Sequence, residues 1–317
     1  MTDEQPRVLV VGEALVDVVP DRDGTPRDLP GGSPANVAIA LGRLGRDVRL
    51  VTLLGDDDRG AEVRAWLRAS GVEVLARPTG SGRTSSAAVT LDASGAASYD
   101  FDLDWSLEDV PDEACDVLHV GSIATVLEPG ARAVLDAVRR CRGRALVSLD
   151  PNSRPAITPD RAGPAARVEE LVALADVVKV SDEDLGWLRP DDEPLATATR
   201  WATRGPGLVV VTRGGAGAVA VRPGGSVLEV PGVPVTVADT VGAGDTFSGV
   251  LLDALLALGV AGPGAADALR ALSDRDVLGA VTTASIGAAV NVSRPGADPP
   301  WRAELTAALG GPGSGEE

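Results

Sequence analysis

The stretch DTVGAGDTFSGVLLDALLALG (239–259) sets a glycine-rich bend against an apolar helix, with Asp245 at the seam. A helix N-terminus carries unpaired N–H groups and roughly half a positive charge. Gly242, Ala243 and Gly244 would let such donors converge on an anion without any lysine. The same residues also read as a glycine turn in which Asp245 merely caps the helix, a role worth ~1 kcal/mol. Three small residues exceed what a cap needs, and glycine there costs backbone entropy. Both readings stay open on local grounds.

Outward from this stretch, β-branched runs alternate with Ala/Leu/Arg-rich segments, the pattern of a parallel sheet with crossover helices. Strands are expected at 7–12, 47–55, 116–121, 144–150, 176–181 and 207–214, and helices at 33–45, 58–71, 243–258 and 274–290. Two stretches, 13–30 and 84–104, instead alternate apolar and polar residues around the turn signals RDG and ASG. They read as antiparallel strands with one wet face, paired into a small sheet beside the main one. Residues 1–12, 31–83 and 105–317 then form the core, with a disordered tail expected over 310–317.

The chain of 317 residues has a formal charge of −17, which repels phosphate backbones and anionic lipid and argues against nucleic-acid or membrane partners. No apolar run approaches the ~20 residues of a membrane span, and the first residues lack a secretion-signal pattern. Cys115 and Cys141 have no metal-ligand spacing and make a disulfide framework unneeded, so a cytoplasmic protein is expected. Lys179 and His119 are the only lysine and histidine, which excludes mechanisms needing several of either. A lone histidine is usually a structural hydrogen-bonder, and zinc is not expected. The Walker A loop is absent, since Lys179 lies in VVKVS, and GEALVD after the first strand lacks the dinucleotide glycine spacing.

Four further clusters carry polar chemistry. In LPGGSPANVAIALGRLG (29–45), Gly31 and Gly32 permit close approach of a ligand, and Asn36 projects from the first helical turn. An exposed helix-face role for Asn36 is the plainer alternative. SLDPNSRP (148–155) ends a strand in Asp150, Asn152 and Arg154, where open α/β sheets bind ligands. VKVSDEDL (178–185) brings carboxylates to a strand end, as water-held Mg²⁺ sites and helix caps both require. VTRGGAGAV (211–219) fits a loop along phosphates, and equally a hairpin.

In this order and separation the segments resemble the ribokinase-like (PfkB) carbohydrate kinases over nearly the whole chain. GGSPANVAIALGRLG with GDDDRG is similar to that family's N-terminal signature, and DTVGAGDTFSGVLL to its C-terminal one. The resemblance implies a doubly wound, mostly parallel α/β fold flanked by helices, with an inserted β lid. It implies Asp245 as general base and residues 242–245 as the anion hole. Asp17, Gly31, Gly32, Asn36 and Arg154 would meet the sugar. Lys179, Ser181, Thr212, Gly214 and Gly217 would serve ATP, together with Gly242 and Gly244. Asp184 would reach Mg²⁺ through water, and Asp239 with the backbone at Val241 would hold a monovalent cation such as K⁺. Where the family often has Asn-x-x-Glu, this chain has Ser181 and Asp184, a shorter acid arm. VLHVGSIAT, LDPNSRP and AAVTLDASGAASYDF are most similar to the fructokinase branch. That implies ATP + D-fructose → ADP + fructose 6-phosphate, with ribose and 2-keto-3-deoxygluconate as nearest alternatives. A homodimer through the lid edges and, as a rival, a non-catalytic sugar-binding regulator are the remaining expectations.

Overall fold

The computed structural model describes residues 5–20, 25–91 and 97–310. Its strands are β1 (Arg7–Val11), β2 (Leu15–Pro20), β3 (Pro26–Gly31), β4 (Asp47–Leu54), β5 (Val72–Pro78), β6 (Ser86–Leu91), β7 (Ala97–Asp102), β8 (Val117–Gly121), β9 (Leu146–Asp150), β10 (Val177–Ser181), β11 (Leu208–Thr212), β12 (Ala218–Val221) and β13 (Val227–Val230). The helices are α1 (Ser33–Arg43), α2 (Asp58–Ala69), α3 (Gly130–Cys141), α4 (Ala162–Val172), α5 (Asp182–Leu188), α6 (Pro194–Ala202), α7 (Ala243–Ala257), α8 (Ala265–Ala271), α9 (Asp274–Val292) and α10 (Arg302–Leu309). None of these helices is long and apolar enough to cross a membrane.

Nine strands form the main sheet in the order β13-β12-β11-β10-β9-β8-β1-β4-β5. Seven run parallel, and β12 and β13 add an antiparallel edge. Strands such as RVLVV are apolar on both faces, as a sheet covered on both sides requires. Alternate residues sort into two cores. Val8 and Val10 of β1 and Leu208 and Val210 of β11 pack with α1, α7 and α9 on one face. Leu9 and Val11, with Val209 and Val211, pack with α3, α4 and α6 on the other. The layering is that of a doubly wound fold. Because β4 and β8 flank β1 on opposite sides, the strand order reverses there, and the C-terminal ends of β1, β8, β9, β10 and β11 open onto one crevice.

The second sheet has the order β3-β2-β6-β7. Each hairpin is antiparallel, but β2 and β6 join them in parallel with Val16 beside Ser86. The alternation within each stretch fixes pairing inside a hairpin only. The antiparallel pairing expected within each stretch is present, while the junction between the two stretches is parallel. The stretch 211–219 is a strand pair, β11 with β12, and its glycine turn also reaches the crevice. The RDG and ASG turn signals, and the tail expected at 310–317 apart from Gly310, lie outside the described residues.

Candidate active site

Asp245 is the third residue of α7 and only 6% exposed. Where the cap is serine, the acid at this helical position folds back on it: Asp184 pairs with Ser181 on α5, and Asp276 with Ser273 on α9, while Asp267 on α8, behind Gly264, stays exposed. The cap of α7 is Gly242, which has no side chain to exchange and sits in the left-handed region at φ 73°. The Asp245 carboxylate therefore turns outward from its own helix to α1. Its Oδ1 accepts from Ser33 Oγ at 2.6 Å and its Oδ2 from Asn36 Nδ2 at 2.8 Å. Asn152 Nδ2 reaches Oδ1 at 3.3 Å and Ser33 Oγ at 2.7 Å. Burial pushes the Asp245 carboxyl above the usual aspartate range, the Ser33 and Asn36 bonds oppose this, Asp150 raises it further and Arg154 lowers it.

Beside the carboxylate, α7 opens its N-terminus to the crevice. The helical ladder starts with Thr246 N–H donating to Gly242 O at 2.8 Å, while Ala243 N–H leans to Thr240 O at 3.3 Å. The N–H groups of Gly244 and Asp245 are left as first-turn donors, the arrangement that binds anions. A side chain at Gly244 would put Cβ 2.8 Å from Lys179 Nζ, so the chain's one lysine lies against the same turn. Lys179 is buried on β10, 3.0 Å from Asp150 Oδ2, which also accepts from Ser248 Oγ at 3.0 Å. Burial opposes its charge, but Asp150 and Asp184 outweigh it and hold the ammonium protonated.

At the sugar end of the expected site, Asp17 reaches in from β2, and Asn36, Arg154 and Gly32 share the same wall. Gly32 caps α1, while Gly31, the last residue of β3, stands behind Asp17 rather than in the wall. Burial raises the Asp17 carboxyl, with Arg154 easing the shift and Asp245 adding to it. Glu13 and Ser122 belong to this wall too, and sequence reasoning missed both. Burial pushes Glu13 up to about 7 against a bond from Ser122. Ser122 (φ 53°) and Asn152 (φ 36°) both occupy the left-handed region, where non-glycine residues are uncommon and gather at functional sites.

The crevice, about 940 Å³ in volume, continues past the α7 N-terminus to Ser181, Asp184, Thr212, Gly214 and Gly217. Its far wall is apolar, made by Val233, Val235, Val237, Ala288 and Val292. Val233, Val235 and Val237 alternate with a period of two, as in a strand, but they lie in no strand, and the alternation does not tell that they face a crevice. Asp184 Oδ1 accepts from Ser153 N–H at 2.7 Å, and Oδ2 from Ser181 Oγ at 2.7 Å and Ser181 N–H at 3.3 Å. Asp239 lies outside the wall, its oxygens accepting from Val241 N–H at 3.0 Å and Gly296 N–H at 2.8 Å. Val241 lines the crevice, and its carbonyl accepts from Asn291 Nδ2 at 2.8 Å. His119 is buried beside Ser148 and held down near 3 by burial, a structural residue away from the cleft wall. Among the described residues no three His, Cys, Asp or Glu side chains converge as a metal site.

An open α/β sheet whose switch-point crevice joins a helix N-terminus, a buried carboxylate and hydroxyl-binding polar groups defines a phosphotransferase with an alcohol acceptor. Residues 5–304 match the pfkB family carbohydrate kinases. The chain belongs to that family and is an ATP-dependent carbohydrate kinase. It is 37% identical over 266 residues to a fructokinase of Klebsiella pneumoniae, covering 80% of this chain and 86% of that one. The fructokinase of Xylella fastidiosa with bound ATP superposes with a TM-score of 0.87 at 27% identity, over 96% of this chain and 98% of that chain. The Vibrio cholerae O395 fructokinase holding fructose, ADP and a calcium ion superposes with a TM-score of 0.80 at 30% identity, over 96% and 99% of the two chains.

Proposed function

We propose that the chain phosphorylates the primary 6-hydroxyl of free D-fructose, with ATP as donor and Asp245 as the base. The observation that carries this reading is the buried Asp245 carboxylate, placed in the same helical turn as the free N–H donors of Gly244 and Asp245. The likeness to fructokinases, one of them holding fructose, supports the choice of sugar. Asp17, Asn36 and Arg154 bind the sugar hydroxyls, and the apolar wall with Thr212, Gly214 and Gly217 takes the nucleotide. As the sugar oxygen attacks the γ-phosphorus, its proton passes to Asp245 and the bond to the β–γ bridging oxygen breaks, releasing ADP. Such transfer needs positioning and charge neutralisation more than covalent chemistry. The first turn of α7 and the Lys179 beneath it supply that neutralisation.

Mg²⁺ bound with ATP would neutralise the β- and γ-phosphate oxygens. Asp184 fits a water-mediated contact to it, because its oxygens are engaged by Ser153 and Ser181 and direct ligation would open the cap. Asp239 and the Val241 carbonyl, each taking backbone or amide donors yet keeping lone pairs, fit as oxygen ligands of K⁺. The β3-β2-β6-β7 sheet, bounded at 13–30 and 84–104, acts as the lid that excludes water, and its exposed edges are where two copies pair. As a kinase drawing on ATP, it works in the cytoplasm.

The test is ADP release by wild type and Asp245→Asn across fructose, ribose and 2-keto-3-deoxygluconate. Fructose is expected to give the highest kcat/KM, and Asp245→Asn to lose on the order of 10³-fold in kcat. Undiminished turnover in the variant removes Asp245 as base. Tight sugar binding without turnover by the wild type points to the regulatory protein instead.

A further inference from the structure

Around Asp245 the structure holds more hydrogen bonding than a base alone requires, and the donors are arranged unequally. Oδ1 receives two, Ser33 Oγ at 2.6 Å and Asn152 Nδ2 at 3.3 Å, whereas Oδ2 receives only Asn36 at 2.8 Å. A carboxylate oxygen offers two lone pairs. Oδ1 is therefore filled, and Oδ2 keeps one pair open. The donors on Oδ1 are themselves fixed. Arg154 Nη1 bonds Asn152 Oδ1, and a guanidinium can only donate, so the oxygen of that amide must face Arg154 and its nitrogen Ser33. Asn152 Nδ2 then donates to Ser33 Oγ at 2.7 Å, which orients the Ser33 hydroxyl proton toward Asp245. The Asn152 backbone is held in the left-handed region at φ 36°, which aims this amide back into the crevice.

We infer that Ser33 and Asn152, aligned by Arg154, are positioning residues that lock Oδ1 of Asp245 and leave Oδ2 as the oxygen that takes the sugar proton. The inference rests on Asp245 being the base. In the transfer, the sugar O–H bond breaks, an O–H bond forms at Oδ2, and the sugar oxygen's electron pair forms the new bond to phosphorus as ADP leaves. Losing the Ser33 donor would let the carboxylate rotate. It would also remove a bond that favours the charged form, so the carboxyl would titrate higher. The other charged groups felt around the pocket, Asp150, Arg154, Asp17, Glu13 and Lys179, are unchanged by that substitution.

The experiment is steady-state sugar phosphorylation by the full chain between about pH 5 and 9, comparing Ser33→Ala, Ser33→Thr, Asn152→Gly and Asp245→Asn. Ser33→Ala is expected to lower kcat about tenfold while the sugar KM changes less than about twofold, and to move the acid limb of kcat/KM to higher pH. Ser33→Thr, which restores a hydroxyl, is expected to recover most of both. Asn152→Gly keeps the left-handed backbone and should shift the limb the same way by less, since its contact is longer. A folded Ser33→Ala enzyme with the wild-type limb and kcat overturns the inference, and so does a loss of kcat with an unmoved limb. Should Ser33→Ala fail to fold, Asn152→Gly decides by the same criterion. Asp245→Asn separates the two readings. If it is inactive while the other variants behave as wild type, the base stands and the positioning role falls; if it turns over normally, both fall.

Discussion

Four helices among the described residues carry an aspartate at the third position: α5 and α9 behind a serine cap, α7 and α8 behind a left-handed glycine. On α5 and α9 the acid closes a box with its own capping serine, and the pair is spent on holding the helix end. On α7 the cap is glycine, and the acid is spent on a tertiary network in a crevice. The difference teaches that a glycine three positions earlier releases the carboxylate from its cap, and that burial against α1, which Asp267 on α8 lacks, gives it partners. Gly242 gives up only about a few tenths of a kcal/mol of capping relative to serine, and Asp245 becomes available to Ser33, Asn36 and Asn152.

The comparison breaks most sharply if α7 is given the serine cap that α5 and α9 possess. Gly242→Ser offers Asp245 a hydroxyl partner, forces a side chain onto φ 73°, and brings its Cβ to 2.6 Å from that of Ala297. Turnover is expected to fall on the order of 100-fold, as when one preorganised donor of an anion site is lost. A kcat near that of the wild type would show that the glycine cap is not what frees the acid.

The second prediction concerns Glu13, another buried acid of the same wall. Its folded value of about 7 lies above the ordinary glutamate value of 4.5, so the fold loses stability as pH rises between these values and stays lower above them. Glu13→Gln mimics the protonated acid. It should raise stability by up to about 2–3 kcal/mol at pH 8 and by almost nothing at pH 4. Denaturant melts at the two pH values check it, and an equal effect at both contradicts it.

The smallest effects belong to the boxed acids. Asp276→Ala should cost about 1 kcal/mol of stability and leave kcat untouched. Asp184→Ala should cost a similar amount, and because Asp184 lines the crevice it should also raise the apparent KM for Mg-ATP by several-fold, about 3- to 10-fold. Thermal melts and kinetics on the two variants separate a cap that lines the crevice from one remote from it.

Most of the fold was readable because its signals are local: the parallel strands and the helices at 33, 58, 243 and 274 each announce themselves by period and cap. Gly242 and Asp245 were readable for the same reason, whereas Asn36, which read more plainly as an exposed helix-face residue, is buried against Asp245. Ser33 and Asn152 as partners of Asp245 were not, since those bonds join residues 212 and 93 positions apart. The parallel junction of β2 with β6 and the apolar valines at 233–237 were hidden for similar reasons. Each depends on where two separated segments meet, and neither segment carries that information alone.

The burial of Lys179 has one last consequence. It is the only lysine in the chain, and it lies beneath the turn where the phosphoryl group is proposed to pass. Amine-directed reagents acting on the folded enzyme therefore find no lysine on its outer surface. Because Asp150 and Asp184 hold its ammonium protonated, acylation of Lys179 is expected to be slow, and nucleotide in the cleft is expected to slow it further.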